Sequence, residues 1–316
     1  MTQNAEALLL FLNIPFCPKQ CAYCTRAIRP LNTLDTLPAY IAALRKEVQA
    51  FAAEAEDRTV AGVWVGGGIA GHLFDEELGD LLQDMRRWYN FAPDAEVTLK
   101  VHPGMVSVET LNACHRGKVQ RLSIEYATGD SFENEALERF LPPSVMDTTA
   151  LVLGGEHTMQ RSFDVLIGAP GQTPATLIRT LENVCKYGAV HVALYPFRME
   201  VGSRYAANHR KNEQADQASL RRHLPDAAEV AALRQTAENW LAEHGFAEYL
   251  SNHFAQAGCA SRFLELEAAG CEQVGFGAGA ETRMDGIYSK NTTNIEQYIR
   301  FSPDPEHLTA VVKPLT

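Results

Sequence analysis

Nowhere in the 316 residues does an apolar run approach the roughly 20 residues that a bilayer span requires, so no membrane helix is expected. Positive charge is in short supply. The 28 basic residues stand against 39 acidic ones, a net of −11, which argues against a surface built for DNA or RNA. The first residues lack both a basic n-region and a small-residue cleavage site, so they do not read as a secretory signal. Internal repeats and low-complexity tracts are also missing. These absences point to a cytoplasmic protein. A hydrophobic content of 46% allows one large core, or one core with a small appendage.

Of only seven cysteines, Cys114, Cys185, Cys259 and Cys271 are scattered and read as buried small hydrophobes. The other three fall within eight residues, Cys17-Pro18-Lys19-Gln20-Cys21-Ala22-Tyr23-Cys24, spaced C-x3-C-x2-C. They follow the apolar run Leu8-Leu9-Leu10-Phe11-Leu12 and the breaker Pro15, which places them on a loop at the end of a buried strand. Three thiolates on one short loop suit iron–sulfur ligation, and three rather than four ligands leave one metal position open for a small molecule. A structural zinc site would want a fourth Cys or His, and the thirty residues after Cys24 supply neither. A disulfide with a spare thiol fits an oxidising compartment, for which nothing speaks. Three inert buried cysteines are the remaining alternative.

Strand and helix patterns alternate along the rest of the first two-thirds. Helices are expected over 37–57, 75–88, 108–114, 131–141, 146–153 and 174–187, and strands over 60–65, 96–101, 119–126, 162–167 and 189–195. Alternation of this kind implies parallel βα units in an α/β fold. Glycines and polar residues recur where strands end, at the cysteine loop, Gly66-Gly67-Gly68, His102, Glu125 and Gly168. Strand ends gathered on one rim describe a barrel, and six units leave it open on one side. The expected organisation is a core over 1–200 and a C-terminal appendage over 201–316 folded across the barrel mouth. The polar, basic stretch 198–226 reads as a solvated loop, with a substrate lid as the alternative. A helix over 226–244 and a strand over 246–250 follow it.

The cysteine loop, with an aromatic residue before its last cysteine, resembles that of radical SAM enzymes. Ile14-Pro15-Phe16-Cys17 narrows the resemblance to oxygen-independent coproporphyrinogen III oxidases and their haem-chaperone relatives. Further matches are Arg139, Asp164, Gly168-Ala169-Pro170-Gly171-Gln172-Thr173, His191-Val192-Ala193-Leu194-Tyr195-Pro196 and Glu200-Val201-Gly202-Ser203, so that the likeness runs over about residues 7–290. The resemblance implies a partial (β/α)6 radical SAM barrel. It also implies one [4Fe–4S] cluster on Cys17, Cys21 and Cys24, and S-adenosyl-L-methionine chelated to the open iron. Reductive cleavage of that cofactor would give a 5′-deoxyadenosyl radical acting on a small-molecule or peptide substrate, as an oxidoreductase or methyltransferase. Electrons would come from a donor such as flavodoxin or ferredoxin. The cofactor-binding residues implied are Tyr23, Gly66, Gly67, Gly68, Lys100, Arg139 and Asp164. His102, Glu125, Tyr195 and Arg198 are the substrate-side candidates on the rim.

Departures from that pattern bear on function. Gly66-Gly67-Gly68 continues as Ile69-Ala70 where the family has Thr-Pro, Lys100 stands where an acid is usual, and Glu125-Tyr126-Ala127 replaces Gly-Val-Gln. Lys100 and Glu125, on neighbouring strands, are expected to form a buried ion pair at the rim, the alternative being that one of them points outward into solvent. Cys24-Thr25-Arg26 lacks the oxidases' extra cysteine, and Ser261-Arg262-Phe263-Leu264-Glu265-Leu266 lacks the chaperones' His-Asn…Tyr-Trp signature. The usual C-terminal helical module would extend past Thr316. The expected function is therefore radical SAM chemistry on a different substrate. The alternative is a haem- or cluster-binding chaperone-like protein without turnover.

Overall fold

The computed structural model describes residues 7–17, 19–30, 36–68, 76–139, 141–213 and 223–315. Ile69, Ala70 and residues 214–222 of the basic stretch lie outside them. The chain opens with β1 (Ala7–Ile14), whose Leu8, Leu9, Leu10 and Leu12 are fully buried. Each such leucine contributes about 1.5–3 kcal/mol of burial. The cysteine loop begins in the two-residue strand β2 (Phe16–Cys17), which pairs with β3 (Arg29–Pro30). Then come α1 (Leu37–Phe51), β4 (Thr59–Gly67), α2 (Glu76–Trp88), β5 (Asn90–Val101), α3 (Val108–Arg116) and β6 (Arg121–Ala127). They lead to α4 (Ser131–Ala136), α5 (Pro143–Gly154), β7 (Gln160–Ile167), α6 (Pro174–Lys186) and β8 (His191–Pro196).

Helix starts are chemically marked. Ser107 caps α3, Asp130 accepts from the amides of Phe132 and Glu133 at α4, and Thr173 forms a capping box with Thr176 at α6, satisfying donors that a helix N-terminus leaves unpaired. The helix expected over 131–141 stops at Ala136 because Glu138 takes a positive φ of 50°. That turn sets Arg139 behind the sheet rim. The helix expected to reach residue 57 ends at Phe51.

The second part contains α7 (Arg204–Glu213), α8 (Ala227–Glu243), β9 (Ala247–Leu250), β10 (His253–Ala255), α9 (Arg262–Ala268), β11 (Glu272–Phe276), β12 (Glu281–Met284), β13 (Ile287–Asn291), α10 (Ile295–Phe301), α11 (Pro305–Leu308) and β14 (Thr309–Pro314). One twelve-stranded sheet runs β14-β13-β12-β11-β1-β4-β5-β6-β7-β8-β10-β9. Its six sequential strands β1, β4, β5, β6, β7 and β8 are mutually parallel, and β11 joins them in parallel beside β1. The expected α/β architecture of six units is present as an open sheet rather than a closed barrel. The segment expected to cover the mouth instead extends the sheet at both edges and sends α9 onto its inner face. There Phe263 packs on Trp64 with ring centroids 5.4 Å apart.

That inner face is fastened by buried charge. Arg121 contacts Glu96 Oε2 at 3.2 Å, Ser162 Oγ at 2.9 Å and the carbonyls of Cys259 and Ala260 at 3.1 and 3.0 Å. Ser261, the cap of α9, donates to Glu96 Oε1 at 2.5 Å. Period-two alternation then carries the same face upward from Glu96 to Lys100, from Arg121 to Glu125 and from Ser162 to Asp164. The lock at the bottom thus fixes the floor beneath the polar residues at the top. Part of the stretch expected as a solvated loop is the helix α7, since Arg204 reaches Gln20 O at 3.1 Å and Glu138 Oε2 at 2.8 Å.

Candidate functional site

At the C-terminal ends of the parallel strands lies a cavity of about 430 Å³, and Cys17, Cys21 and Cys24 all line it. Their loop is held by its backbone. Cys24 N donates to Cys21 O at 3.2 Å, Ala22 N to Leu137 O at 3.2 Å, and Tyr205 N to Ala22 O at 2.8 Å. Gln20 Nε2 closes the loop from within, donating to the carbonyls of Cys24 and Arg26, each at 3.1 Å. Tyr23 packs edge-on to Phe197, ring centroids 5.9 Å apart, which anchors the aromatic residue of the motif to the segment after β8. Burial pushes the Cys21 thiol up to about 11, against the opposing pull of Arg139.

Tyr23, Gly67, Gly68, Lys100, Glu125, Asp164, Tyr195 and Arg198 also border this cavity. Eleven of the fourteen residues singled out from sequence therefore share one space, counting the three cysteines. Gly66, His102 and Arg139 are not on its lining. A Cβ on Gly66 would meet Trp64 Nε1 at 2.8 Å, so that glycine serves packing inside the sheet. His102 accepts from Gly104 N at 3.2 Å as the cap of a short 3-10 turn, Pro103–Met105. Arg139 sits behind the lining, donating to Glu125 O at 2.8 Å with its Nη1 3.8 Å from Glu125 Oε1.

The glycines that do border the cavity are required first by the chain itself. Gly67 has a φ of +95°, a region that costs a residue with a Cβ, and its Cβ would overlap Asn13 Oδ1. A Cβ on Gly68 would overlap the Phe16 carbonyl. Bare backbone here seats the cysteine loop against β4.

Charge pairing differs from expectation. Lys100 pairs with Asp164, Nζ to Oδ2 at 2.9 Å, while Glu125 pairs with Arg139. The register explains it: Lys100 lies opposite Ser123 on β6, and Glu125 lies opposite Asp164 on β7. Burial works against the Lys100 ammonium, but Asp164 and then Glu125 outweigh it and hold it above its ordinary range. Burial likewise opposes the Glu125 carboxylate, and Arg139 and then Lys100 overcome that and hold it below the usual range. The Lys100 ammonium and the Glu125 carboxylate thus keep their charges beside three thiols.

Sequence reasoning passed over Arg26 and Phe197. Arg26 Nη1 donates to Gly67 O at 2.8 Å, tying the cysteine loop to the glycine segment. Its position, where the oxidases carry an extra cysteine, was the available signal.

The residues fit the group that the sequence implies. Three thiols line one wall, and Arg139, whose charge acts on Cys21, has buried Nε and Nη1 with no hydrogen-bond partner. An anionic thiolate-ligated centre would compensate donors of that kind. Among the described residues, no three Cys, His, Asp or Glu side chains converge as ligands of a single ion. No described helix is long and apolar enough to cross a membrane.

No protein-family model matches the chain. In sequence it is 28% identical over 254 residues to the heme chaperone HemW of Mycobacterium tuberculosis, covering 79% of this chain and 62% of that protein. It is 26% identical over 306 residues to the oxygen-independent coproporphyrinogen III oxidase of Bradyrhizobium diazoefficiens, covering 92% of this chain and 65% of that one. In structure it superposes on the coproporphyrinogen III oxidase HemN of Escherichia coli, described as a radical SAM enzyme, with a TM-score of 0.81 at 19% identity. That match covers 98% of this chain and 72% of the other. The chain thus spans less than two thirds of the length of both sequence relatives.

Proposed function

We propose, from the premise that this chain carries the radical SAM fold, that it binds one [4Fe–4S] cluster and S-adenosylmethionine and uses them on an organic substrate. The observation that carries this reading is the single cavity shared by Cys17, Cys21, Cys24, Gly67, Gly68, Lys100 and Asp164. When bound, the pair of cofactors supplies a 5′-deoxyadenosyl radical by one-electron reduction and cleavage of the sulfonium. The chain's own residues do the rest. Cys17, Cys21 and Cys24 hold the cluster, and α7 keeps their loop in place through Arg204 and Tyr205. Lys100 and Asp164 form an ion pair on the lining that would bind polar groups of the cofactor, while Glu125 is held ionised by Arg139. Tyr195 and Arg198 line the same cavity and would be the residues to meet the substrate. The role of these groups is to position the substrate and keep water and stray reductants out.

Anaerobic reconstitution followed by reduction with dithionite and S-adenosylmethionine tests the reading. 5′-Deoxyadenosine is the expected product, and coproporphyrinogen III is expected to remain unconsumed, because Arg26 occupies the place of the oxidases' extra cysteine. Absence of 5′-deoxyadenosine from cluster-loaded protein would overturn it. A second reading, a chaperone-like protein that binds haem or a cluster without turnover, is supported by the name of the mycobacterial relative. A Soret shift on titration with haemin, without 5′-deoxyadenosine, would favour that one.

A further inference from the structure

A second chamber of about 390 Å³ adjoins the cavity, and both are lined by Arg26, Ile28 and Gly67. Its far side is built by the C-terminal segment: Glu267 of α9, Gln273 of β11, Glu281 and Arg283 of β12 and Lys290 of β13. The cations of this chamber already have partners. Lys290 Nζ lies 2.9 Å from Glu281 Oε1, Arg283 lies 3.8 Å from the other oxygen of Glu281, and Arg26 donates to Gly67 O at 2.8 Å.

The acceptors do not. Gln273 is only 7% exposed, yet its buried Oε1 has no hydrogen-bond partner. Among the described residues, the side-chain carboxyl of Glu267 makes no hydrogen bond and no ion pair within 4 Å; burial pushes it up, against the opposing charge of Arg283. A buried acceptor left without a donor costs free energy, and the Glu267 carboxylate on the same lining sets the sign of the group that would relieve both.

We propose that this chamber holds the organic substrate by a protonated amine, with Gln273 Oε1 and Glu267 as the acceptors, next to the cofactor cavity. The inference rests on the radical SAM reading for the reaction, but the recognition of an amine stands apart from it. Arg26 forms part of both linings, so a substrate anchored by its amine in the second chamber would extend past Arg26 toward the space of Lys100 and Asp164. Specificity would then lie in α9 and β11, the part of the chain where Ser261-Arg262 is followed by Phe263-Leu264-Glu265-Leu266.

The test uses the full chain carrying its cluster, with n-butylamine and butyrate as probes observed by saturation-transfer NMR. n-Butylamine is expected to bind, and butyrate is not. Glu267→Gln is expected to weaken amine binding about tenfold, the scale of a lost charge-assisted hydrogen bond, and Gln273→Leu by several-fold. Both variants should keep wild-type iron content and melting temperature, since neither side chain holds another group of the chain. Binding of butyrate in preference to the amine, or indifference of amine binding to Glu267→Gln, would overturn the proposal. So would a second equivalent of S-adenosylmethionine that is lost in Glu267→Gln, because the chamber would then be a cofactor site. Amine binding without any 5′-deoxyadenosine formation would uphold this inference while refuting the proposed reaction.

Discussion

Lys100 reaches across β6 to place its Nζ 2.9 Å from Asp164 Oδ2, although the residue opposite it on β6 is Ser123. The side chains are 21% and 9% exposed, so neither charge is fully hydrated. Removing one partner of a fully buried pair costs about 3–5 kcal/mol, and a partly hydrated pair costs less. Lys100→Met is therefore expected to destabilise the protein by about 2–3 kcal/mol, read from urea unfolding. Lys100→Met with Asp164→Leu should recover much of that loss. A double variant no more stable than the single one would mean that Asp164 does not depend on Lys100.

The cluster loop gives a second prediction. Replacing Cys17, Cys21 or Cys24 by alanine should abolish iron binding on anaerobic reconstitution, because all three border the same cavity. Cys114→Ala should keep the wild-type iron content. Cys114 is fully buried in the core, where its thiol is pushed up to about 12 by burial and then by Glu156, so it acts as an apolar side chain. Stoichiometric zinc in place of iron would contradict the assignment.

A third prediction concerns the glycines. Gly67→Ala imposes a Cβ at positive φ against Asn13, which should cost more than the roughly 1 kcal/mol typical of Gly-to-Ala effects. Gly68→Ala pushes on the Phe16 carbonyl, one residue before Cys17. It should therefore lower iron occupancy together with the melting temperature. Normal iron content and melting temperature with only S-adenosylmethionine affinity lost would show instead that these glycines serve the cofactor alone.

What was legible in the sequence was local. The cysteine spacing, the glycine run at the end of β4 and the alternation of strands and helices each depend on neighbours in the chain, and they led to the observed α/β sheet and to residues that line one cavity. What was not legible depends on register and on distant segments. The partner of Lys100 follows from which residues face one another across β5, β6 and β7. His102 was a plausible rim ligand, but its ring caps a turn two residues on. The buried meeting of Glu96, Arg121 and Ser261 joins positions 165 residues apart, and no short pattern announces it. The stretch after β8 looked unstructured by composition, yet α7 within it holds the cysteine loop through Arg204 and Tyr205.

Acid stability supplies the last prediction, through a carboxylate far from the cavity. Glu156 is 4% exposed at the end of α5. Its Oε1 accepts from the amides of Thr158 and Met159, at 2.5 and 3.0 Å, and from the Thr158 hydroxyl at 2.6 Å. Its other oxygen lies 2.7 Å from His115 Nε2. Burial alone would raise this carboxyl, but the hydrogen bonds from Thr158 and Met159, followed by His115, bring it down to about 2 from an ordinary 4.5. The folded state therefore binds this proton less readily than the unfolded chain does. The stabilisation is fully present above about pH 4.5 and is lost as the pH falls toward 2. Glu156→Gln should lower unfolding stability by on the order of 1–3 kcal/mol at pH 7, the range for hydrogen bonds to a charged group. The gap between variant and wild type should close steadily below pH 4.5, since the protonated acid and the amide then resemble each other. Denaturant unfolding at pH 7, 5 and 3 measures it, and a gap that stays constant across those values would show that the carboxylate's charge contributes nothing.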